Sequence, residues 1–491
     1  MRLSRLLRIS SAVLLLVLVG YSLLWYLDND AEGPLQYGER LFSYAQYEVT
    51  SIPLFNRASS STIAADFSTS TGTSILAHGI NEATAIGIDR VPVVDVYRNG
   101  FHFDTVRYWL FRPWWKVKYG KPTTLPSDFK DDPDLKTIDR MLAEAKATGA
   151  EMTFVIAHAP DTLLPEGAGP LSPEKNKLGI HTGKYPEFRR YVLQLVDYIL
   201  YRSPEAIGNN KVVIEIWNEP DVDTFANLGM SYADVINDIG LALVDRYPGI
   251  TISANVFPYY DGHRRNPDTE RFYRSLDDRL VPHLRASYHL YASYQTADNM
   301  DAFFQNSRRL FYDGPLALRA FLDTLGEPRA SIPLYIGEHN LHTGKKYARE
   351  MAGKEGAAIL ALDVVNMVRS RAISGHQFYK FTSVEDDGFG VVDIRGKKFD
   401  DFPVFAGLMR AVPRGAALFP LTETPAIKGI ATSTSEGRFL ILVNKEGKYQ
   451  HHVSVLVKGV SFSGFDNLIS GGSEGSVLNF KPYEVKILRL L

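Results

Sequence analysis

Two acidic residues each follow a short apolar run, an arrangement that could bring two carboxylates into one active site. The first is Glu219, which follows the run of residues 211–217 and precedes Pro220. The second is Glu338, which ends the run Pro333-Leu-Tyr-Ile-Gly. Glycoside hydrolysis uses such a pair, because one acid protonates the leaving oxygen while the other attacks or stabilises the anomeric carbon. An ordinary turn is the simpler alternative for the first acid taken alone.

The local geometry at the first acid sets a condition on any shared site. Pro220 restricts the residue before it, so we expect Glu219 to be extended and the strand to stop there. Strand alternation turns Asn218 and Glu219 to opposite faces. Both side chains can therefore reach one ligand only if a bulge or the strand end rotates the chain.

Three further side chains near predicted strand ends suit supporting roles. Arg107 could hold a carboxylate in its ionised form, because an adjacent cation favours the charged state. His289 and Tyr291 could orient the same carboxylate by hydrogen bonding. We therefore predict that these three residues contact the substrate or the two acids.

Eight apolar runs, with amphipathic segments between most of them, are expected to position these residues. Helical spacing is clear in Leu135, Ile138, Met141, Leu142 and Ala145. Eight strands with intervening helices predict an α/β fold, a (β/α)₈ TIM barrel rather than an open sheet. The predicted strands are residues 74–81, 103–110, 151–158, 212–218, 251–257, 284–290, 333–338 and 375–381.

The chain divides into four predicted regions. Polar Ser and Thr runs between residues 59 and 72 indicate a loosely ordered spacer. Short apolar runs at 439–443, 453–457 and 484–491, separated by Gly-rich turns, indicate a small β-sandwich. The regions are residues 1–30, a transmembrane anchor or signal segment; 31–73, the spacer; 74–413, the catalytic barrel; and 414–491, the sandwich.

The N-terminal region predicts the compartment. Residues 9–27 carry no charge, and Arg2, Arg5 and Arg8 precede them. At about 1.5 Å per residue this stretch spans a bilayer's hydrocarbon core, and its basic flank stays cytoplasmic. We therefore predict a single-pass protein of the inner (cytoplasmic) membrane with its catalytic domain on the periplasmic or extracellular side. A cleaved signal peptide is the alternative, although no Ala-x-Ala-like site follows the long apolar stretch.

Composition narrows the classes of partner. The 54 Lys and Arg residues nearly balance the 56 Asp and Glu residues, for a formal charge of -2. Because no long basic run is present, we expect no nucleic-acid partner. The absence of cysteine excludes disulfides, cysteine nucleophiles and thiolate metal sites. We expect neither a metal nor another cofactor. A neutral saccharide suits this balance of charge better than a strongly charged ligand does.

The motif Glu215-Ile-Trp-Asn-Glu-Pro-Asp221 resembles a known family. It fits the Glu-x-Trp-Asn-Glu-Pro-(Asp/Asn) pattern of the retaining glycoside hydrolases of clan A, and within them family 39. The Trp and Phe that are usual just upstream are Val212 and Ile214 here. The resemblance covers roughly residues 74–491, because a β-rich tail packed on the barrel is also common in family 39.

The resemblance implies roles for individual residues. Glu219 is implied to be the acid/base, and Asn218 to bind the 2-hydroxyl of the sugar being cleaved. Glu338, on a looser Ile-Gly-Glu pattern, is implied to be the nucleophile, and His289 and Tyr291 are similar to the clan's strand-six pair. A retaining mechanism requires the two carboxyl groups to lie about 5 to 5.5 Å apart.

Strand eight departs from the clan's usual pattern. Barrels of this clan often place a tryptophan at its end as a floor for the sugar, whereas Phe378 and Tyr379 stand there in this chain. Either could form the floor. Trp114 and Trp115 could instead form a platform for a chain of sugars, because aromatic faces complement pyranose rings; packing within their loop is the alternative.

Similarity to anchored family members that are encoded with bacterial exopolysaccharide genes implies the substrate and partners. It implies an endo-acting enzyme on an extracellular polysaccharide or oligosaccharide, with polysaccharide biosynthesis or export machinery as a candidate partner. The loop at residues 160–186, rich in glycine, is expected to line the cleft.

Two other classes remain open. A barrel metallohydrolase could recruit His158, His289 and His376, and residues 338–342 superficially resemble a metal motif. However, the first predicted strand lacks the His-x-His that such barrels usually supply, and Glu338-His339 reverses the His-Glu order of the zinc-helix pattern. The other class is a noncatalytic carbohydrate-binding subunit of an export assembly. The presence of both carboxylates argues against it.

Overall fold

The computed structural model of this protein describes much of the chain after residue 60. Among the described residues, no helix combines the length and apolar character that crossing a membrane requires. The predicted membrane segment, residues 9–27, lies outside them. The described residues are 61–82, 97, 100–110, 135–157, 159, 163, 180–203, 211–220, 224–255, 266–293, 299–342, 344–383, 387–393 and 395–491.

Eight parallel strands close into a barrel, in the order β10-β3-β4-β5-β6-β7-β8-β9. All eight predicted strands are present, so the barrel prediction is confirmed. Most are buried on both sides, which explains why they read as apolar runs in the sequence. The strands are β3 (Ala77–Glu82), β4 (Thr105–Trp109), β5 (Glu151–Ile156), β6 (Val212–Ile216), β7 (Thr251–Asn255), β8 (Leu284–Tyr291), β9 (Leu334–Asn340) and β10 (Ile373–Phe378).

Helices follow most of the barrel strands and bury one face. In α2 the buried residues include Phe188, Val192, Val196 and Ile199, at the three- and four-residue spacing that predicts an amphipathic helix. A π-turn, Arg309–Asp313, joins two of the helices. The helices are α1 (Leu135–Thr148), α2 (Tyr185–Arg202), α3 (Tyr232–Arg246), α4 (Pro267–Arg274), α5 (Met300–Arg308), α6 (Gly314–Leu325), α7 (Ala348–Met351), α8 (Lys354–Ser370) and α9 (Asp401–Ala411).

The barrel interior is polar, unlike the branched aliphatic layers common in this architecture. Near the amino ends of the strands, Arg285 donates to Glu151 at 2.5 Å. One layer higher, the Gln377 amide donates to the Thr105 hydroxyl at 3.1 Å. Arg107 lies at the carboxyl ends, fully buried. Side chains that bond across the barrel therefore replace apolar packing along its axis.

The C-terminal strands form a two-sheet sandwich, which confirms the predicted β-rich tail. One sheet has the order β14-β1-β17-β20, and the other β19-β18-β21-β16-β15-β13-β2. The short pair β11 (Thr382–Ser383) and β12 (Val392–Asp393) lies apart from both. The sandwich strands are β1 (Thr62–Asp66), β2 (Gly72–Thr73), β13 (Ala417–Phe419), β14 (Leu421–Thr422), β15 (Ile427–Thr434), β16 (Gly437–Asn444), β17 (Gln450–Lys458), β18 (Phe465–Asn467), β19 (Ser473–Glu474), β20 (Val477–Phe480) and β21 (Val485–Leu490).

The predicted spacer needs correction where the structure describes it. Strand β1 pairs in parallel with β17 and antiparallel with β14, while β2 pairs with β13. Ile63 and Ala65 are buried in the sandwich core. Residues 62–73 are therefore part of the sandwich rather than a loose connection, because the alternating apolar residues of β1 fill one face of its sheet.

Candidate active site

Glu219 reaches the barrel mouth through a sharp change of backbone direction after β6. The backbone N–H groups of Trp217 and Asn218 still donate to the carbonyl oxygens of Ile156, which ends β5, and of Ala157, at 2.9 and 3.1 Å. Trp217 and Glu219 then take positive φ values of 71° and 49°. The prediction that Glu219 is extended is wrong, because the chain turns through a left-handed conformation before Pro220. This turn rotates the chain at the strand end, which is what Asn218 and Glu219 need if both side chains are to reach one ligand.

Glu338 enters the barrel through a bulge in β9. Tyr288 pairs with Ile336, whereas the next residue, His289, pairs with Glu338, so one extra residue lies in β9. That residue is Gly337, where an added Cβ would lie only 2.3 Å from the Ser287 hydroxyl oxygen. The close approach of β8 therefore requires glycine, and the bulge turns Glu338 inward.

Arg107 binds both walls of the site. Its Nη1 donates to Glu338 Oε1 at 2.7 Å and to Asn81 Oδ1 at 2.7 Å. Its Nη2 donates to Glu215 Oε1 at 2.5 Å and to Asn218 Oδ1 at 3.0 Å. These two carboxylates raise the pKa of Arg107 against the opposing effect of burial. The predicted contact between Arg107 and an acid is therefore present, and it involves two acids rather than one.

Glu215 is a buried residue of the site to which the sequence gave no role. It is fully buried, yet Arg107 and the Ser253 hydroxyl, which donates to Glu215 Oε2 at 2.7 Å, surround it with donors. Burial acts to raise the pKa of Glu215, but Arg107 and the other partners outweigh it and hold that pKa below its usual value. A charged residue inside the apolar run of β6 was the available signal, because such residues are rarely buried unpaired.

His289 and Tyr291 lie where the sequence placed them, beside the two acids. His289 Nδ1 is 2.6 Å from Glu219 Oε1 and 3.5 Å from Glu338 Oε2. The Tyr291 hydroxyl donates to Glu338 Oε2 at 2.8 Å. Burial, followed by the nearby charge of Glu338, raises the pKa of Tyr291 well above its ordinary value, so its hydroxyl stays protonated and can donate.

The two acids lie close together in contrasting surroundings. One carboxyl oxygen of Glu219 and one of Glu338 lie within 4.8 Å of each other. The Glu338 side chain is 4 % exposed, whereas that of Glu219 is 54 % exposed. Glu338 is thus enclosed by cationic and hydroxyl donors, while Glu219 faces the open mouth.

Aromatic side chains line one side of this mouth. Tyr379 lies 6.4 Å from Tyr291 and 6.4 Å from Trp109, measured between ring centroids. Phe378 contacts His339 and Phe405 instead, so it faces the outer helices. Of the two residues predicted for the floor, Tyr379 is therefore the one beside the acids.

Other predicted parts of the mouth cannot be placed. Trp114, Trp115 and His158 lie outside the described residues, as do most residues of the loop at 160–186. Trp109, which the sequence reasoning did not single out, contacts Arg107 through its ring face at 5.4 Å. Its position at the end of β4 was the signal for it, because catalytic groups in such barrels cluster at strand ends.

The two described members of the predicted histidine metal set, His289 and His376, do not share a site. His376 faces outward, where its Nε2 is 2.8 Å from His78 Nδ1 and its Nδ1 is 2.8 Å from His339 Nε2. Among the described residues, Glu219, His289 and Glu338 are the group that could hold a cation, with one ligand atom each within 4.8 Å. Carboxylate and imidazole ligands suit zinc. The same atoms therefore fit either a carboxylate-pair mechanism or a metal.

No protein-family model matches the chain, and no curated protein matches it in sequence. Solved structures do match its fold. A family 39 glycoside hydrolase from Xanthomonas axonopodis pv. citri is 14% identical with a TM-score of 0.59, covering 88% of this chain and 97% of its own. A family 30 subfamily 8 xylanase from Clostridium acetobutylicum is 12% identical with a TM-score of 0.56, covering 87% and 99%.

An α-L-arabinofuranosidase from Thermotoga maritima, solved with arabinose, is similar to the same degree. It is 12% identical with a TM-score of 0.57, covering 88% of this chain and 100% of its own. At this identity the three likenesses show a shared fold. The architecture that the family 39 resemblance implied, a barrel with a β-rich tail, is therefore confirmed.

Proposed function

We propose that this chain is a retaining glycoside hydrolase. The observation that carries the proposal is the pair of acids from the ends of β6 and β9, with one carboxyl oxygen of each within 4.8 Å of the other. Retaining enzymes place their carboxyl groups about 5 to 5.5 Å apart, whereas inverting enzymes need roughly 6.5 to 9.5 Å for an intervening water. The short spacing supports double displacement.

The contrasting surroundings of the acids support their separate roles. Glu338, bound by Arg107 and Tyr291, is the ionised nucleophile and bonds the anomeric carbon. Glu219 gives a proton to the departing glycosidic oxygen. It then takes a proton from the water that attacks the covalent glycosyl-enzyme, which restores both residues.

Asn218 and Tyr379 are proposed to bind the sugar. Arg107 holds Oδ1 of Asn218, so its Nδ2 is the atom left to donate to a hydroxyl such as the 2-hydroxyl. The ring of Tyr379, near Trp109 and Tyr291, suits stacking against a pyranose. Trp114 and Trp115 extend this platform in the proposal, on the basis of sequence alone.

The substrate is proposed to be an extracellular or periplasmic polysaccharide that is cleaved internally. The proteins of similar fold include a xylanase and an arabinofuranosidase, so the fold leaves the sugar open. The uncharged stretch at residues 9–27 with its basic flank supports a single-pass anchor in the inner membrane. Polysaccharide biosynthesis or export machinery is the proposed partner.

A turnover assay on a panel of polysaccharides tests the function. We expect the protein to release oligosaccharides from at least one, and Glu338→Gln to release none. Binding without turnover would favour the noncatalytic alternative. The panel should be repeated in chelator, because Glu219, His289 and Glu338 could also hold a cation. Activity that is lost in chelator and restored by zinc would favour the metallohydrolase instead.

A further inference from the structure

Asn255, at the carboxyl end of β7, is a buried residue beside the proposed active site. Its Nδ2 lies 2.6 Å from His289 Nε2 and 3.4 Å from Glu215 Oε1. His289 links Asn255 to both acids, because His289 Nδ1 lies 2.6 Å from Glu219 Oε1 and 3.5 Å from Glu338 Oε2.

The charge of Glu215 fixes the orientation of the Asn255 amide. Arg107 donates to Oε1 of Glu215 and the Ser253 hydroxyl donates to Oε2, so both oxygens accept, and an ionised carboxylate accepts hydrogen bonds without donating any. The opposite orientation would place the Asn255 amide oxygen, another acceptor, 3.4 Å from Glu215 Oε1. Nδ2 therefore faces both Glu215 and His289.

This orientation decides which ring nitrogen of His289 carries the proton. Nε2 faces two donors, Asn255 Nδ2 at 2.6 Å and Arg107 Nη2 at 3.4 Å. Neither group can accept a hydrogen bond there, so Nε2 must be the acceptor. The proton of the neutral ring lies on Nδ1, which is 2.6 Å from Glu219 Oε1.

We propose that Asn255 is a positioning residue that holds His289 as its neutral Nδ1–H tautomer, so that His289 donates to Oε1 of Glu219. This inference rests on the proposed function. With Oε1 occupied as an acceptor, Oε2 carries the catalytic proton. Oε2 loses that proton to the glycosidic oxygen as the bond to carbon breaks, and regains one from the attacking water. His289 keeps its Nδ1 proton throughout.

The groups that face His289 make this control necessary. Three carboxylates face the ring, and an imidazolium there would hold Glu219 ionised and remove the acid. The two donors at Nε2 oppose that charge. The charged and titratable groups facing the ring are Arg107 from β4, Glu215 from β6, Glu219 from the turn after β6, and Glu338 from β9.

Nitrogen NMR of the full-length protein with ¹⁵N-labelled histidine tests the tautomer without substrate. Comparison with His289→Gln assigns the His289 signals. We expect the wild-type ring to carry its proton on Nδ1 and not on Nε2, and Asn255→Ala to lose this single tautomer, with a proton appearing on Nε2. Ser253→Ala is the matched control: it removes the donor to the other oxygen of Glu215, while Arg107 still binds Oε1 and keeps Glu215 an acceptor, so the variant should leave the His289 tautomer unchanged.

The pH dependence of kcat/KM tests the consequence for catalysis. In Asn255→Ala we expect the basic limb, which reports Glu219, to move down by about one pH unit, whereas Ser253→Ala should keep its midpoint. A wild-type His289 that carries its proton on Nε2, or an Asn255→Ala variant with unchanged tautomer and basic limb, would overturn the inference. A protein that hydrolyses no glycoside but shows this Asn255-dependent tautomer would refute the proposed function and uphold the control of His289.

Discussion

Arg107 determines the charge of the proposed site because it binds Glu215 and Glu338 at once. One guanidinium beside two carboxylates leaves a net negative charge, and an oxocarbenium-like transition state is positive. The surroundings therefore favour charge development at the anomeric carbon. Glu219 differs from these two carboxylates, because more than half of its side chain is exposed.

The role of Glu219 can be separated from that of Glu338 by the choice of leaving group. Glu219→Gln should slow hydrolysis of substrates with poor leaving groups by about 10²- to 10⁴-fold, because the amide cannot protonate the departing oxygen. Substrates with good leaving groups should lose far less. Measuring kcat/KM on a pair that differs only in the leaving group checks this. Glu338→Gln should abolish both, and equal losses on the pair in Glu219→Gln would remove Glu219 from the acid role.

Sequence reasoning at this scale was most successful for residues that end strands. Arg107, His289 and Tyr291 were predicted to support an acid, and the structure brings all three to the acids. Glu215 and Asn255 were missed. Their roles depend on cross-barrel contacts between different strands, which strand position alone does not specify.

The bulge in β9 is the local feature that brings Glu338 to the site. Simple alternation would place Glu338 on the same face as Ile336, which is buried in the core outside the barrel interior. The eight strands were predictable because they are apolar throughout. The bulge was not, because it depends on how β9 pairs with β8.

Substitution at the bulge tests its contribution. Gly337→Ala should reduce activity at least tenfold, because its methyl group would lie 2.3 Å from the Ser287 hydroxyl oxygen and force the two strands apart. Combining it with Ser287→Gly removes that oxygen and should restore part of the activity, which turnover assays of both single variants and the double variant would show. A double variant no better than Gly337→Ala would mean that the clash is not the cause.

Three buried histidines join the first and last two barrel strands outside the active site. His78 donates from Nε2 to the Val412 carbonyl oxygen at 2.8 Å. Its Nδ1 therefore accepts from His376 Nε2, and His376 Nδ1 in turn accepts from His339 Nε2. The chain ends at His339 Nδ1, 3.7 Å from Asp363 Oδ2. Burial lowers the pKa of His339 to about 3 and raises the pKa of Asp363 well above its ordinary value. Both groups are therefore neutral.

These shifts predict opposite effects of pH on stability. The histidines stabilise the fold fully above about pH 6.5, and this stabilisation falls as the pH drops towards 3. Asp363 contributes fully to the stability of the fold below about pH 3.9, and this contribution is lost as the pH rises through the raised pKa that Asp363 has in the folded state.

Asp363→Asn separates the two effects because the amide stays neutral. In thermal unfolding, the variant should have the same melting temperature as the wild type at pH 4 and a melting temperature about 1–3 °C higher at pH 8. Asp363→Ala, which leaves a cavity, should melt lower at both values. A wild type that is more stable than Asp363→Asn at pH 8 would indicate an ion pair with His339 instead.

The sandwich ties the two ends of the described chain together. Strand β1 lies between β14 and β17, where it pairs Ala64 with Thr422 and Ile63 with Val455, residues far later in the sequence. The sequence predicted the barrel and its β-rich tail but assigned residues 62–73 to a spacer. A five-residue strand flanked by serines carries a weak local signal, and its partners are too distant for local patterns to reveal.

Truncations test where the folded unit begins. Deleting residues 1–30 should release the protein from membranes with its activity intact, because residues 9–27 are the predicted anchor. Deleting residues 1–73 should lower the melting temperature markedly and promote aggregation, because it removes β1 and exposes the edges of β14 and β17. If the first variant still associated with membranes, or if the two variants had equal melting temperatures, this account would be contradicted.

The central claim, a double displacement between Glu338 and Glu219, is tested most directly by the anomeric configuration of the first-formed product. One carboxyl oxygen of each lies within 4.8 Å of the other, which is closer to the spacing of about 5 to 5.5 Å in retaining enzymes than to the roughly 6.5 to 9.5 Å that admits a water. Proton NMR during early hydrolysis, before mutarotation mixes the anomers, distinguishes the two outcomes. The account predicts that the first product retains the configuration of the substrate. A first product with inverted configuration would contradict it.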